Sequence, residues 1–257
     1  MAPAPRAAIS DLYHRAEDYF FGSISQFHRR FGDDLNAYCT GVAASSLNLL
    51  LMQGSERDNA GPLAEGVAFL KGAGVPFCVV MPQAQVARYS PQLLQQQMLA
   101  ADQTCCMALD LATCVPRQVA PGLGQVRCTD RHLEDWARPV ASAFESGDAA
   151  IKQYLARHRA ALQAGRALHH FSLYVDQRPV SALTLSLGPE VARLDDIGTL
   201  QGFQGRGYAT ALIHAVLGLA QARGARWCVL EASLDGLSIY RKAGFNALFD
   251  YRTFCQA

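Results

Sequence analysis

Charge is scarce in this chain of 257 residues, and neither sign dominates. Charged side chains make up 18% and the formal net charge is +1, so the basic stripe that marks a nucleic-acid surface is missing. Long apolar runs are missing as well. No segment stays apolar over the roughly 20 residues that span a bilayer, and residues 1–10 lack the apolar stretch of a signal peptide. The eight cysteines, Cys39, Cys78, Cys105, Cys106, Cys114, Cys128, Cys228 and Cys255, form no Cys-x-x-Cys and no Cys/His cluster of metal-site spacing. Most stand among apolar neighbours, which predicts buried thiols in a reducing compartment. The expectation is a cytoplasmic protein with no metal, no nucleic-acid partner and no membrane partner; self-association into a homodimer stays open. At 50% hydrophobic residues the chain can bury one large core or two smaller ones.

The most informative stretch is Gln204-Gly205-Arg206-Gly207-Tyr208-Ala209-Thr210. Upstream, Ala192, Leu194, Ile197 and Leu200 punctuate a strand-like segment. Downstream, Leu212, Ile213, Val216, Leu217 and Ala220 recur at helical spacing. A helix start leaves backbone N–H groups without partners and carries partial positive charge, so phosphate oxygens bind well there. Gly205 and Gly207 let the backbone bend and approach a bulky pyrophosphate. By itself the motif is equally compatible with a plain strand–turn–helix corner. A Rossmann site would place its glycines after the first strand of a βαβ unit with an acidic residue about 20 positions on. Here too little chain follows the loop to build a doubly wound sheet.

A second segment narrows the choice. Trp227 to Ala232 reads as a buried strand, Gly236 to Lys242 as a short helix stopped by Gly244, and Phe245 to Phe254 as an aromatic-rich strand pair or bent strand. This order resembles the GNAT superfamily of N-acetyltransferases. Their acyl-CoA motif, Gln/Arg-x-x-Gly-x-Gly/Ala, is matched by Gln204, Gly207 and Ala209. Their later tyrosine followed by Gly-Phe is matched by Tyr240, Gly244 and Phe245. The resemblance covers the chain from about Val126 to its end. Within it, Val126–Cys128 reads as a first strand, Arg131–Glu145 and Ala149–Ala164 as helices, and His169–Val175 with Pro179–Leu187 as a hairpin. The fold it implies is α/β, a mixed and mostly antiparallel sheet flanked by helices.

Residues 114–125 read as a linker, giving two segments, 1–120 and 126–257. In the first, Ser10 is a plausible N-cap for a helix whose Leu12, Ala16, Phe20, Phe27 and Phe31 share a face. Ser46–Met52 reads as a strand, Leu63–Lys71 as a helix, Val75–Met81 as a strand, a short helix starts at Ser90 or Pro91, and Cys105–Leu111 reads as a last strand. That order looks like a degenerate GNAT-like copy. Its corresponding turn, with Glu56 and Asp58, would repel phosphates, so a non-catalytic scaffold or cleft wall is expected.

Carried over position by position, the resemblance implies that Ile197, Gly198 and Thr199 line the pantetheine arm of acetyl-CoA, and that the amides from Gly205 through Thr210, including those of Tyr208 and Ala209, hold its pyrophosphate. Arg206 either adds a charge-assisted contact or is solvated. Gln204 stands where arginine is commoner. Tyr240 is the expected general acid for the departing thiolate. A backbone N–H near Thr199 would serve the oxyanion. The acceptor amine must lose its proton first, since a lysine-like amine of pKa about 10.4 is charged at neutral pH. No base is legible: Glu231, Asp195 and Asp196 qualify by position, ordered water qualifies equally, and strand alternation sends only one of the two aspartates to a given face. His169, His170 and His214 read as strand-edge or helix-surface residues. The activity implied is direct acetyl transfer to a primary amine of a small molecule or peptide; the alternative is a silent acyl-CoA sensor.

Overall fold

The computed structural model describes residues 6–54 and 57–256. Glu56 lies outside the described residues, as do the first five residues of the chain. Helix α1 (Arg6–Ile24) opens the described chain, and it ends before Phe27. Phe27 and Phe31 do not continue it: β1 (Phe27–Phe31) turns at Gly32, whose φ is +63°, into the antiparallel β2 (Leu35–Cys39). Two β-compatible aromatics at i and i+4 satisfied a helical period by coincidence, and Ser10 lies inside the helix, its Oγ donating to the Arg6 carbonyl. Then follow β3 (Asn48–Met52), α2 (Ala60–Gly72), β4 (Cys78–Pro82), α3 (Val86–Gln95) and a long β5 (Met98–Asp110).

An irregular stretch leads into the second segment. This comprises β6 (Gln125–Cys128), α4 (Leu133–Ala143), α5 (Asp148–Gln163), β7 (Leu168–Val175), β8 (Arg178–Leu187), β9 (Val191–Thr199), α6 (Tyr208–Ala222), β10 (Trp227–Ser233), α7 (Leu237–Lys242) and β11 (Asn246–Gln256). The 245–254 region is therefore one strand with two register shifts, not a strand pair.

Among the described residues eleven strands form one sheet, ordered β1-β2-β3-β4-β11-β5-β10-β9-β8-β7-β6. Reading outward from the β11/β5 contact, both directions repeat a pattern. An antiparallel neighbour (β4 or β10) comes first, then a parallel one (β3 or β9) joined through a crossover helix (α2 or α6), then antiparallel strands. The last strand of each segment is exchanged. β5 lies between β10 and β11, while β11 lies between β4 and β5. β5 runs well upstream of Cys105 because β11 goes on pairing with it there, as far as Gln256 opposite Met98, while β10 flanks only Thr104–Asp110. The exchange also means that neither segment completes its sheet alone. Cys78 and Cys255, side by side on β4 and β11, form a disulfide, so these two depart from the buried-thiol expectation. Nothing local to either cysteine announces a partner 177 residues away.

Helices α1, α4 and α5 pack on one face of the sheet around Tyr13, Phe20, Trp136 and Tyr154. On the other face, α6 covers the second segment's strands and α2 and α3 cover the first's. The site lies where these two layers meet the middle of the sheet.

Candidate active site

The parallel ladder between β9 and β10 stops at the pair Leu194–Leu230. Beyond it β9 continues to Thr199 paired only with β8, and β10 continues to Ser233 paired only with β5. The two strands fork. The cause is a bulge in β9: its register against β8 slips between Ala182 and Thr184, and Asp196 takes φ = +55°. A bulge inserts a residue and bends its strand. It also breaks alternation, so Asp195 and Asp196 are both drawn toward the α4/α5 side, which the expectation of one per face missed.

Ile197, Gly198 and Thr199 form the free arm of the fork. Ile197 packs toward α6. Thr199 Oγ1 lies 2.9 Å from Ser181 Oγ. Gly198 is buried under α4; a Cβ there would stand 2.8 Å from the Pro139 carbonyl oxygen and 2.9 Å from the Ala143 Cβ. Only its backbone is therefore available to a ligand in the fork.

The strand leads through a short 3-10 turn at Gln201–Phe203 to the glycine loop. Gln204 Nε2 donates to the Thr199 carbonyl at 3.3 Å, tying the loop to the strand end. Gly205 and Gly207 have φ of +74° and +82° with nothing within 4 Å of their would-be Cβ atoms. Both glycines are thus required by conformation and not by packing. Gly207 is the N-cap of α6, with no side chain capping the helix, and the first bond into it is Ala211 N to the Gly207 carbonyl. The amides of Gly205, Arg206, Gly207, Tyr208, Ala209 and Thr210 have no carbonyl partner among the described residues. Arg206 lies over the Phe203 ring at 5.4 Å and pairs with no carboxylate among them. Open amides, a helix N-terminus and an unpaired guanidinium together make a site for a polyanion.

The corresponding turn of the first segment is filled by the chain itself. The Asn59 amide donates to Tyr89 Oη at 2.8 Å and the Ala60 amide to Asp58 Oδ1 at 3.2 Å, so a carboxylate already occupies the start of α2.

Tyr240, on α7, is half-buried, stacks edge-on with Phe245 and carries no hydrogen bond among the described residues. Burial, with Asp195 nearby, pushes its hydroxyl up to about 12, so it keeps its proton throughout the neutral range. Asp195 and Glu231 are the first residues beyond the last β9/β10 pair, at the crotch of the fork. Both point toward α1, with Arg193 between them. Arg193 Nε donates to both Asp195 oxygens, at 2.9 and 3.1 Å, and its Nη2 lies 4.0 Å from Glu231. Burial pushes Asp195 up to about 6, against the pull of Arg193. Burial and Glu17 raise Glu231, which accepts from Thr104 of β5. Although burial opposes its charge, Arg193 is held protonated by Asp195, Tyr13, Glu17 and Glu231.

Asp196 accepts from Thr184 Oγ1 at 2.7 Å and from Tyr154 Oη at 2.8 Å, and burial with Asp195 beside it raises it to about 6. Behind it lie His158 and His170, both fully buried. His170 is not the strand-edge residue expected, and His214, on the buried face of α6 at 6% exposure, is not the helix-surface residue expected. His169 keeps partial exposure.

Sequence reasoning missed four groups here. Arg193, set between the apolar Ala192 and Leu194 of β9, was the available signal, because a charge at a core position demands partners. Glu17, Tyr13 and Tyr251, which face Arg193 and Glu231 from α1 and β11, gave no signal, since they reach the site only through the fold.

Residues 131–245 match the model of the acetyltransferase (GNAT) family. Among solved structures, a GCN5-related N-acetyltransferase from Kribbella flavida aligns over 95% of both chains at 13% identity, with a TM-score of 0.68. One from Sphaerobacter thermophilus aligns over 81% of this chain and 72% of that one at 16% identity, TM-score 0.60. A tandem GNAT protein from the clavulanic acid biosynthesis pathway aligns over 86% and 77% at 15% identity, TM-score 0.58. At these identities the likeness is one of fold. No curated protein matches the chain.

Proposed function

The chain belongs to the GNAT superfamily through its residues 131–245, a family of acyl-CoA-dependent acyltransferases, and from that premise we propose that it moves an acetyl group from acetyl-CoA directly to a primary amine. The observation that carries the reading is the fork joined to the uncapped start of α6. The diphosphate sits on the Gly205–Thr210 amides, with Arg206 beside it. The pantetheine arm runs along Ile197, Gly198 and Thr199, whose β10-facing side has no strand partner. That fixes the thioester at the crotch, next to Asp195, Glu231 and Tyr240.

Chemistry follows from these positions. The neutral amine attacks the thioester carbonyl. A backbone N–H of the splayed strand near Thr199 meets the developing oxyanion in a partly dry cleft, where such a donor is worth most. Tyr240 gives its proton to the departing thiolate and regains one from the nitrogen, which sheds it as the amide forms, and no covalent enzyme intermediate forms. A positioned acid of this kind contributes roughly 10²–10⁴-fold in rate. The carboxylates outnumber Arg193 at the crotch, which suits an acceptor that arrives as an ammonium ion. The first segment serves as a wall: α1 roofs the crotch, and β5 supplies Thr104 to Glu231. Its own helix start, blocked by Asp58, is the reason for assigning it no cofactor.

Calorimetry with coenzyme A, followed by thiol release from acetyl-CoA over a panel of amines and peptides, tests the proposal. Binding together with amine-dependent release is expected. Binding without release from any amine would favour an acyl-CoA sensor, and the absence of any binding heat would refute both.

A further inference from the structure

Beneath α4 and α5, a file of buried polar groups runs away from the fork. Asp130 Oδ1 accepts from the His170 amide at 2.7 Å and lies 2.9 Å from His170 Nδ1. His170 Nε2 is 2.8 Å from His158 Nδ1. His158 Nε2 has no hydrogen-bond partner among the described residues and lies 3.8 Å from Asp196 Oδ2, on the bulge of β9. The Trp136 ring closes over both imidazoles, at 4.5 and 5.0 Å.

The proton positions follow from the chain of contacts. Burial favours a neutral Asp130, but hydrogen bonds from His169 and His170 outweigh it and hold this carboxyl far below the usual range, so it only accepts. His170 must therefore donate from Nδ1, and with the ring neutral its Nε2 is then an acceptor. His158 must then donate from Nδ1, which leaves Nε2 with a bare lone pair. That lone pair faces a carboxylate oxygen. Two acceptors at this distance in a dry site repel, and one proton between them turns the contact into a hydrogen bond.

We propose that Asp196 and His158 together form the one-proton acceptor for the attacking amine, with His170 and Asp130 as positioning residues that fix the His158 tautomer. The inference rests on the acyl-transfer reading above. In the step, the ammonium N–H bond breaks, its electron pair stays on nitrogen, and the proton comes to lie between Asp196 Oδ2 and His158 Nε2. The other protons of the file stay in place. The held proton leaves to water when the amide product departs. Of the three carboxylates at the fork, Asp195 is clamped by Arg193 and Glu231 is also drawn toward it; Asp196 faces a buried imidazole nitrogen that has no partner among the described residues. Its side chain is 11% exposed, enough for a water or the amine itself to reach it.

The groups that bear on the pair from surrounding elements are Tyr154 and Arg157 of α5, Thr184 of β8, His170 of β7 and Asp195 of β9. From α4 and α1 come the Trp136 and Phe20 rings, at 4.5 and 6.2 Å from the His158 ring.

Long-range ¹H–¹⁵N spectra of the histidine rings, recorded from pH 5 to 8 on wild-type chain, D196N and D130N, test the geometry without any substrate. At pH 8 we expect His158 protonated on Nδ1 with Nε2 bare, a single protonation step at Nε2 on acidification, and displacement of that step by more than about tenfold in proton affinity (over one pH unit) in D196N. D130N should instead populate the other His170 tautomer. A His158 already protonated on Nε2 at pH 8, or the same titration in wild type and D196N, would overturn the proposal. In thiol-release assays with acetyl-CoA and the amine panel, D196N should lose roughly 10²-fold or more in kcat and its rise with pH, at unchanged KM for acetyl-CoA. An unaltered pH profile in D196N would likewise refute the role. If wild type releases thiol with no amine at all, the acyl-transfer reading falls and the role with it, while the ring spectra still separate that failure from absence of the pair.

Discussion

Gly207→Ala separates the two reasons a glycine can be required. Gly207 caps α6 at φ = +82°, and a Cβ built there meets no atom within 4 Å. The cost of the substitution is therefore confined to the backbone, about 1–2 kcal/mol for an alanine held left-handed. In a chain of this size each kcal/mol moves Tm by about 2–4 °C, so a fall of about 2–8 °C is expected. If the backbone instead relaxes to negative φ, the first amides of α6 turn away from the pyrophosphate. Losing a single charge-assisted hydrogen bond is worth about 1.5–3 kcal/mol, or roughly 10–100-fold in Kd. Calorimetry with coenzyme A reads the second quantity and thermal unfolding the first. Gly198→Ala is the control with the opposite cause. Its Cβ would lie 2.8 Å from the Pro139 oxygen, so α4 must lift from β9, a packing penalty of about 1–3 kcal/mol. Coenzyme A binding to Gly207→Ala as tight as to wild type, with no fall in Tm to show an alanine held left-handed, would refute the view that this cap aims the helix start at the diphosphate.

Tyr240→Phe should lower kcat for thiol release roughly 10²-fold with coenzyme A affinity nearly unchanged; equal turnover would remove its role as acid. Arg193→Met leaves Asp195, Glu17 and Glu231 without their shared cation. Removing one partner from a buried charge cluster costs about 3–5 kcal/mol, so chemical denaturation should show a loss of that order, and a loss below about 1 kcal/mol would contradict the cluster's tightness. Asp195 titrates at about 6 in the folded chain, above the usual carboxyl value. Its folding contribution is thus fully present at acid pH and is lost as pH rises through 6. The stability of wild type relative to Asp195→Asn should fall between pH 4 and pH 7, as measured by Tm across that range; a difference that grows with pH would reverse the assigned cause, burial.

Local signals carried much of the second segment. Apolar spacing placed α6 and β10, Gly207 and Gly244 marked the helix boundaries, and the order of Gln204, Gly207, Tyr240 and Phe245 pointed to the family. Periodicity failed where two periods coincide, as with Phe27 and Phe31. It also failed where charge hides in a core, as with Arg193 and the buried His158 and His170. Side-chain spacing reports which faces are apolar, and a single polar residue pointing inward barely changes it.

What the sequence determined by itself is short-range: strand, glycine turn and helix follow one another because φ, hydrogen bonding and apolar spacing act over a few residues. Tertiary structure alone decided the exchange of β5 and β11, the Cys78–Cys255 bridge, the meeting of Glu17 with Arg193, and the bulge that brings Asp196 to His158. Each joins residues tens to hundreds of positions apart. Contacts of that kind depend on which strands share an edge, and no local propensity encodes that choice.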